Sequence, residues 1–190
     1  MTWQLKPLID APPIPWKNGG GQTRELVAWP DAVSWSWRIS VAELARSGPF
    51  STFVGIERWF AVLTGAGVQL DVGENPAVPA CVLSPDAAPV CFAGESPVDC
   101  RLIEGAAQAF NLMLRRGSAR GRMVRVTGNH SVELNASTKI AVYAINTWAR
   151  VHFDDDCLEL PPHTLAWRDC LAGSKVQVQA AQALWLEITD

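Results

Sequence analysis

Short runs in which apolar and polar residues alternate recur along the whole chain, with glycine and proline between them. The run Ser34-Trp35-Ser36-Trp37-Arg38-Ile39-Ser40-Val41 is the clearest. Period-two alternation marks a strand with two unlike faces. Trp35, Trp37, Ile39 and Val41 share one side; Ser34, Ser36, Arg38 and Ser40 share the other. A polar side that carries an arginine suits solvent or the lining of a barrel mouth equally, and nothing local decides between them. Residues 52–54, 58–64, 68–70, 99–103, 109–115, 123–127, 138–146, 148–153, 157–160 and 184–188 also read as strands. Gly65 and Gly67 predict a hairpin joining 58–64 to 68–70. Pro76, Pro79, Pro85 and Pro89 cut the next section into short strands and turns. Only residues 41–46 hint at a helical turn, too short to stand alone. Many short strands with almost no helix predict an all-β sandwich or barrel.

Composition supports a buried core. Of the 190 residues, 48% are hydrophobic and 18% charged, which excludes a disordered chain. The length suits one large domain or two small lobes, and the pattern divides at residues 1–120 and 121–190. The nine tryptophans bring large apolar area with one N–H each, a residue for cores and pocket walls, and Trp16, Trp35 and Trp59 read as core. A formal charge of -3 and a basic stretch at 115–125 broken by glycines argue against nucleic-acid binding. Cys81, Cys91, Cys100, Cys157 and Cys170 form no Cys-x-x-Cys pair and read as reduced thiols. The first residues lack an apolar signal core, and no apolar run approaches membrane-spanning length. A cytoplasmic protein with no membrane partner is the expectation.

The densest cluster of unusual residues is Trp16-Lys17-Asn18-Gly19-Gly20-Gly21-Gln22-Thr23-Arg24-Glu25-Leu26. Consecutive glycines are entropically costly to order. They let the main chain pass close to something, or they gather N–H groups in one concavity. Polar side chains flank that bare backbone, an arrangement suited to a small polar molecule such as a carboxylate. A phosphate loop does not fit, because no Lys-Ser/Thr follows at the required offset and the next residues read as a strand.

Four blocks together resemble the HutD/Ves family of cupin-like proteins: the run 16–26 just quoted, Trp37-Arg38-Ile39-Ser40-Val41-Ala42, residues 48–58 and Phe110-Asn111-Leu112-Met113-Leu114-Arg115-Arg116. The resemblance covers the N-terminal 120 residues; beyond them only length and strand pattern match. Val54 stands where the family more often has proline. The resemblance implies a bicupin, two small antiparallel β-barrels or jelly rolls in one chain, and a link to bacterial histidine utilisation. It also implies binding of a pathway intermediate, with N-formylglutamate or urocanate the usual candidates, to restrain the pathway. Alternate residues of a small barrel face inward. Within the matching blocks this nominates Asn18, Gly20, Gly21, Thr23, Arg24, Arg38, Ser51, Phe53, Asn111, Met113 and Arg115 as ligand-binding. Arg24, Arg38 or Arg115 would clamp a carboxylate with paired hydrogen bonds. Asn18, Thr23 and Asn111 would orient an amide, helped by the N–H groups of Gly20 and Gly21. Phe53, Met113 and a tryptophan such as Trp37 would form an apolar wall.

Metal and covalent chemistry find less support. A cupin metal site needs a His-x-His pair, a glutamate and a further histidine. His130, His152 and His163 lack that spacing, and Asp154-Asp155-Asp156 reads as a solvated turn. No metal, cofactor or catalytic residue is expected. There is no Gly-x-Ser-x-Gly elbow and no Cys-His neighbour pair. Three readings remain. The first is a non-enzymatic sensor of a small acidic metabolite. The second is a metal-independent cupin enzyme, an isomerase or hydrolase with Glu25 or Glu57 as base, although the neighbouring Arg24 and Arg58 suit those two carboxylates at least as well to structural salt bridges. The third is a module that contacts a regulator protein. Exposed edge strands also allow a homodimer.

Overall fold

A computed structural model describes residues 2–73, 80–154 and 156–189. Pro76, Pro79 and Asp155 lie outside them. The chain is all-β, and the helical element among the described residues is a single 3-10 turn at Leu8–Asp10. No helix among them is long and apolar enough to cross a membrane. The chain divides into two compact units, Pro12–Ala119 and Met1–Ala11 with Arg120–Asp190.

The Pro12–Ala119 unit holds two antiparallel sheets. The larger runs, in spatial order, Pro13–Pro15, Gly21–Trp29, Trp37–Leu44, Ala107–Arg115, Ile56–Thr64 and Val90–Ala93. The smaller runs Gly48–Pro49, Val98–Leu102, Val68–Val72 and Cys81–Leu83. Ala42, Leu44, Phe60, Val62, Leu70, Val98 and Ala109 belong to one apolar cluster that draws on both sheets. The larger sheet is buried on its other face too, where Trp37, Ile39, Val41, Phe110, Leu112 and Leu114 are fully enclosed.

Three sequence expectations are corrected here. Residues 41–44 continue the Trp37–Leu44 strand and form no helical turn. Ala42 and Leu44 are apolar and inward-facing, so packing overrides their local preference. Residues 52–54 are not a strand. The predicted hairpin at Gly65 and Gly67 is a corner, because Ile56–Thr64 and Val68–Val72 belong to different sheets. Both glycines have positive φ, +97° and +127°, and a Cβ on either would sit 2.6 Å from a backbone oxygen. The chain therefore turns from one sheet to the other at a place only glycine fits.

In the other unit, Gln4–Pro7, Thr164–Cys170, Thr138–Ala144, Lys175–Thr189, Ala149–Phe153 and Asp156–Leu160 follow in order, and Arg120–Glu133 also pairs with Lys175–Thr189. Its core gathers Ile140, Val142, Val151, Leu160, Val178 and Trp185. The first strand thus lies in a sheet with C-terminal strands.

Candidate functional site

Residues 16–21 link Pro13–Pro15 to Gly21–Trp29 as a compact loop. Trp16 N–H donates to Gly21 O at 2.9 Å and Gly19 N–H to Trp16 O at 3.0 Å. The Gly20 N–H is taken by Asn18 Oδ1 at 2.9 Å. Gly20 O accepts from Ala45 N–H at 2.9 Å and Arg46 N–H at 3.1 Å. A Cβ on Gly21 would lie 2.2 Å from Glu43 O. At Gly21 the glycine run thus serves close approach of two backbones, not an open nest of N–H groups. The loop in turn fixes Trp16, whose Nε1–H donates to Thr23 Oγ1 at 2.8 Å.

Beside this loop lies a cavity of about 280 Å³. The inward face of the large sheet supplies its floor. Met113 is opposite Arg38 on one side and Arg58 on the other. Asn111 is likewise opposite Ser40 and Phe60. Two rows of side chains thus cross three neighbouring strands, and Arg38, Ser40, Arg58, Asn111 and Met113 line the cavity. The polar side of the Trp37–Leu44 strand therefore faces this hollow. Pro49, Phe50, Ser51 and Phe53 form another wall. Main-chain bonds from Phe50 N–H to Val98 O (2.9 Å) and Phe53 N–H to Gly94 O (2.7 Å) hold that segment. Trp16, Lys17, Asn18, Thr23 and Ala42 complete the lining.

Arg58 dominates the electrostatics. It is 7% exposed. Its Nε–H and Nη2–H donate to Asn111 Oδ1 at 3.0 and 2.7 Å. Its guanidinium carbon lies 4.4 Å from the Phe50 ring centroid and 5.5 Å from that of Phe92. Among the described residues no carboxylate lies within ion-pair distance of it. Burial, and then the charge of Arg38, pull its pKa down to about 10. Arg38 is also lowered by burial, opposed by Glu25. The Arg38–Glu25 contact is long, 3.8 Å from Nη1 to Oε2. Arg38 Nη2–H reaches Met113 Sδ at 3.1 Å, while Arg38 Nε is buried without a hydrogen-bond partner. Trp35 and Phe53 lie 5.2 and 5.7 Å from its guanidinium carbon. Among the described residues no acidic side chain lines the cavity, whereas Lys17, Arg38 and Arg58 do. Such a hollow attracts an anion.

Of the residues nominated from the sequence, Asn18, Thr23, Arg38, Ser51, Phe53, Asn111 and Met113 meet in this lining. Gly20, Gly21, Arg24 and Arg115 are not part of it. Arg24 Nε pairs with Glu43 Oε1 at 3.1 Å, and Gln22 also donates to Glu43. Arg115 is exposed; its Nε–H donates to Trp35 O at 3.0 Å and its guanidinium stacks 5.1 Å from the Trp35 ring. Trp37 is fully enclosed on the opposite face of its strand. Sequence reasoning set Arg58 aside as a partner of Glu57 and took Trp16 for core. The missed signal is register: Arg58 falls two residues before the inward-facing Phe60.

Other candidate chemistry lies elsewhere. His163 sits in a turn at φ 55°, its N–H donating to Ala144 O at 2.8 Å. Among the described residues no three His, Cys, Asp or Glu side chains are placed to hold a metal. Burial pushes the thiols of Cys100 and Cys170 up to about 11, which favours their protonated form.

Comparison with known proteins agrees over nearly the full length. A solved conserved protein of unknown function from Pseudomonas aeruginosa PAO1 superposes with a TM-score of 0.87 at 26% identity, covering 100% of both chains. HutD from Pseudomonas fluorescens SBW25 gives 0.84 at 29%, covering 99% of this chain and 98% of its own. Oxalate decarboxylase of Bacillus subtilis shares the fold alone, with a TM-score of 0.61 at 10% identity over 97% of this chain and 76% of its own. An uncharacterised 21.2 kDa protein from the hutC 3′ region of Pseudomonas putida is 37% identical over 92% of each chain. Protein Ves of Citrobacter koseri is 30% identical over 92% of this chain and 87% of its own. The HutD family model matches residues 9–186, and the chain belongs to the HutD family.

Proposed function

We propose that this chain is a cytoplasmic, non-enzymatic regulatory protein of histidine utilisation. Its cavity binds a small carboxylate intermediate such as N-formylglutamate or urocanate. The observation that carries this reading is Arg58, a buried guanidinium without a carboxylate partner among the described residues, in one cavity with Arg38. A buried charge without a counter-charge costs several kcal/mol unless something compensates it. Asn111 and the aromatic rings compensate part, and an anionic ligand would supply the rest. The volume, about 280 Å³, supports a small molecule, near the lower end of ordinary ligand pockets. The histidine-utilisation context rests on family membership. We also take the two units as the two halves of a bicupin, supported by the antiparallel sheets within each.

Thermal unfolding with N-formylglutamate, urocanate, glutamate and histidine tests the reading. A ligand at a hundred times its Kd adds about 2.7 kcal/mol to the native state. The expected result is a raised Tm with at least one of the first two and no consumption of it. A flat response to all four would overturn the proposal.

A further inference from the structure

The unit of Met1–Ala11 with Arg120–Asp190 carries an enclosed guanidinium of its own. Arg168 stands on the Thr164–Cys170 strand, on the same face as the buried Ala166 and Cys170, and is 8% exposed. The Gln4–Pro7 strand pairs beside it with Gln4 opposite Trp167, so Trp3 comes alongside Arg168. The Arg168 guanidinium carbon lies 3.7 Å from the Phe153 ring centroid and 5.4 Å from that of Trp3, and the two rings meet edge to face at 6.4 Å. Such stacking answers the face of a guanidinium and leaves its in-plane N–H groups unanswered. Nε is enclosed without a hydrogen-bond partner, as is Trp3 Nε1. Nη1 and Nη2 have no acceptor among the described residues either, and they are the part of the head group that reaches solvent. The acids next to Arg168 and Phe153 in sequence are engaged elsewhere. Asp169 pairs with Lys139 at 3.1 Å, and Asp154 Oδ1 accepts from Lys175 N–H at 3.3 Å. Packing alone would be served by an apolar side chain at position 168, without the cost of drying a charge.

We infer that Arg168 is an anion-binding site of this second unit, and that its ligand is a small oxyanion, a carboxylate or a phosphate group, held end-on by Nη1 and Nη2. Two parallel N–H donors at fixed spacing match two oxygens of one such group. Phe153 fixes the plane of the fork, so less freedom is lost when the anion docks. Enclosure of Nε keeps water from that side, which strengthens the contact made at the open edge. With so little of Arg168 exposed, the site takes one oxyanion and reads little of what is attached to it. It stands whether or not the Arg58 cavity takes a carboxylate.

The test is proton–nitrogen NMR on the full chain with isotope-labelled tryptophan, titrated with inorganic phosphate and, separately, with acetate. Trp3→Phe assigns the Trp3 indole signal by its loss, and Trp16→Phe assigns that of Trp16, which lines the cavity of the other unit. The expected result is a saturating Trp3 shift, half-complete at about 1 mM, with at least one of the two anions. Saturation with acetate alone marks a carboxylate site, with phosphate alone a phosphate site, and with both a general oxyanion site; all three support the inference. Arg168→Lys keeps the charge and loses the fork, so the half-point should rise about tenfold or more. Arg168→Gln should abolish the saturating shift, and in both variants the Trp16 signal should respond as in the unmodified protein. A Trp3 signal that stays still, or only drifts without saturating up to about 50 mM of either salt as general screening would make it, overturns the site. So does a saturating shift left unchanged by Arg168→Lys.

Discussion

Replacing Arg58 and Asn111 together separates the site's role in binding from its role in folding. The variant is Arg58→Met with Asn111→Leu. Arg58→Met alone leaves the buried Asn111 Oδ1 without its two donors, at a cost of about 1–3 kcal/mol. Removing both partners avoids that penalty and also relieves the desolvated charge, so the double change is close to neutral or stabilising. The loss opposing it is the cation–π contact at 4.4 Å from Phe50, worth about 1–2 kcal/mol. The double variant should therefore melt above the Arg58→Met single variant. Ligand response should move the other way. At a hundred times Kd the unmodified protein gains about 2.7 kcal/mol. For a chain of this length that is a Tm rise of about 5–11 °C. Losing a charged contact of about 1.5–3 kcal/mol lowers affinity about ten- to hundredfold. At the same ligand concentration the gain then falls to about 0.4–1.4 kcal/mol, or about 1–6 °C. Differential scanning fluorimetry with and without N-formylglutamate reads both quantities. An undiminished shift in the double variant would place the ligand elsewhere. A double variant melting well below the unmodified protein would make the Arg58–Asn111 pair a structural one.

Arg24→Ala and Arg115→Ala should keep the ligand-induced Tm shift of the unmodified protein, since one is paired with Glu43 and the other caps Trp35 outside the cavity. Loss of the shift in either would extend the site beyond its present lining. Gly21→Ala should cost about 1–3 kcal/mol in urea unfolding, because its Cβ would meet Glu43 O at 2.2 Å. Gly19→Asn should be nearly silent in the same assay: φ is +66° with open space around it, a conformation asparagine tolerates. Affinity should be level between about pH 6 and 9, where ligand carboxylates and both guanidiniums are charged. The anion prefers protonated Arg58, whose pKa without ligand is about 10. Above that pH binding must take up a proton, so the association constant should fall about tenfold per pH unit. Calorimetry that finds affinity rising with pH there would contradict an anion on Arg58.

The strands were legible where one local rule governed them. Alternation marks Trp37–Leu44, and its polar side does hold Arg38 and Ser40 toward the cavity. What alternation could not give was which polar side faces a hollow, because solvent and a polar cavity select the same residue types. Two misreadings have one source. Gly65 and Gly67 looked like a hairpin because a turn between strands predicts local pairing, whereas here the corner passes to another sheet. Arg58 looked like a structural salt-bridge partner of Glu57, its neighbour in sequence, yet adjacent strand residues point to opposite faces. Glu57 instead accepts from Trp59 Nε1–H at 3.2 Å. Pairing across sheets and facing within them are long-range facts, and Asn111, the partner of Arg58, lies 53 residues away.

The cavity is costly to the fold that contains it. Phe60 and Val62, beside Arg58 on the same face of one strand, are fully buried in the apolar cluster, and an apolar residue at position 58 would extend that core. Instead the strand turns cationic where Trp37–Leu44 places a second arginine, and each guanidinium makes the other harder to keep charged. Folding stability alone gives no reason for that placement, since like charges in one partly dry hollow repel. A ligand that carries the missing negative charge reverses the sign of the balance. A guanidinium beside such a ligand would hold a counter-charge in a medium where the contact is stronger than in water. On the proposed function, the native state with its ligand absent is the less stable of the two forms, by the free energy of binding.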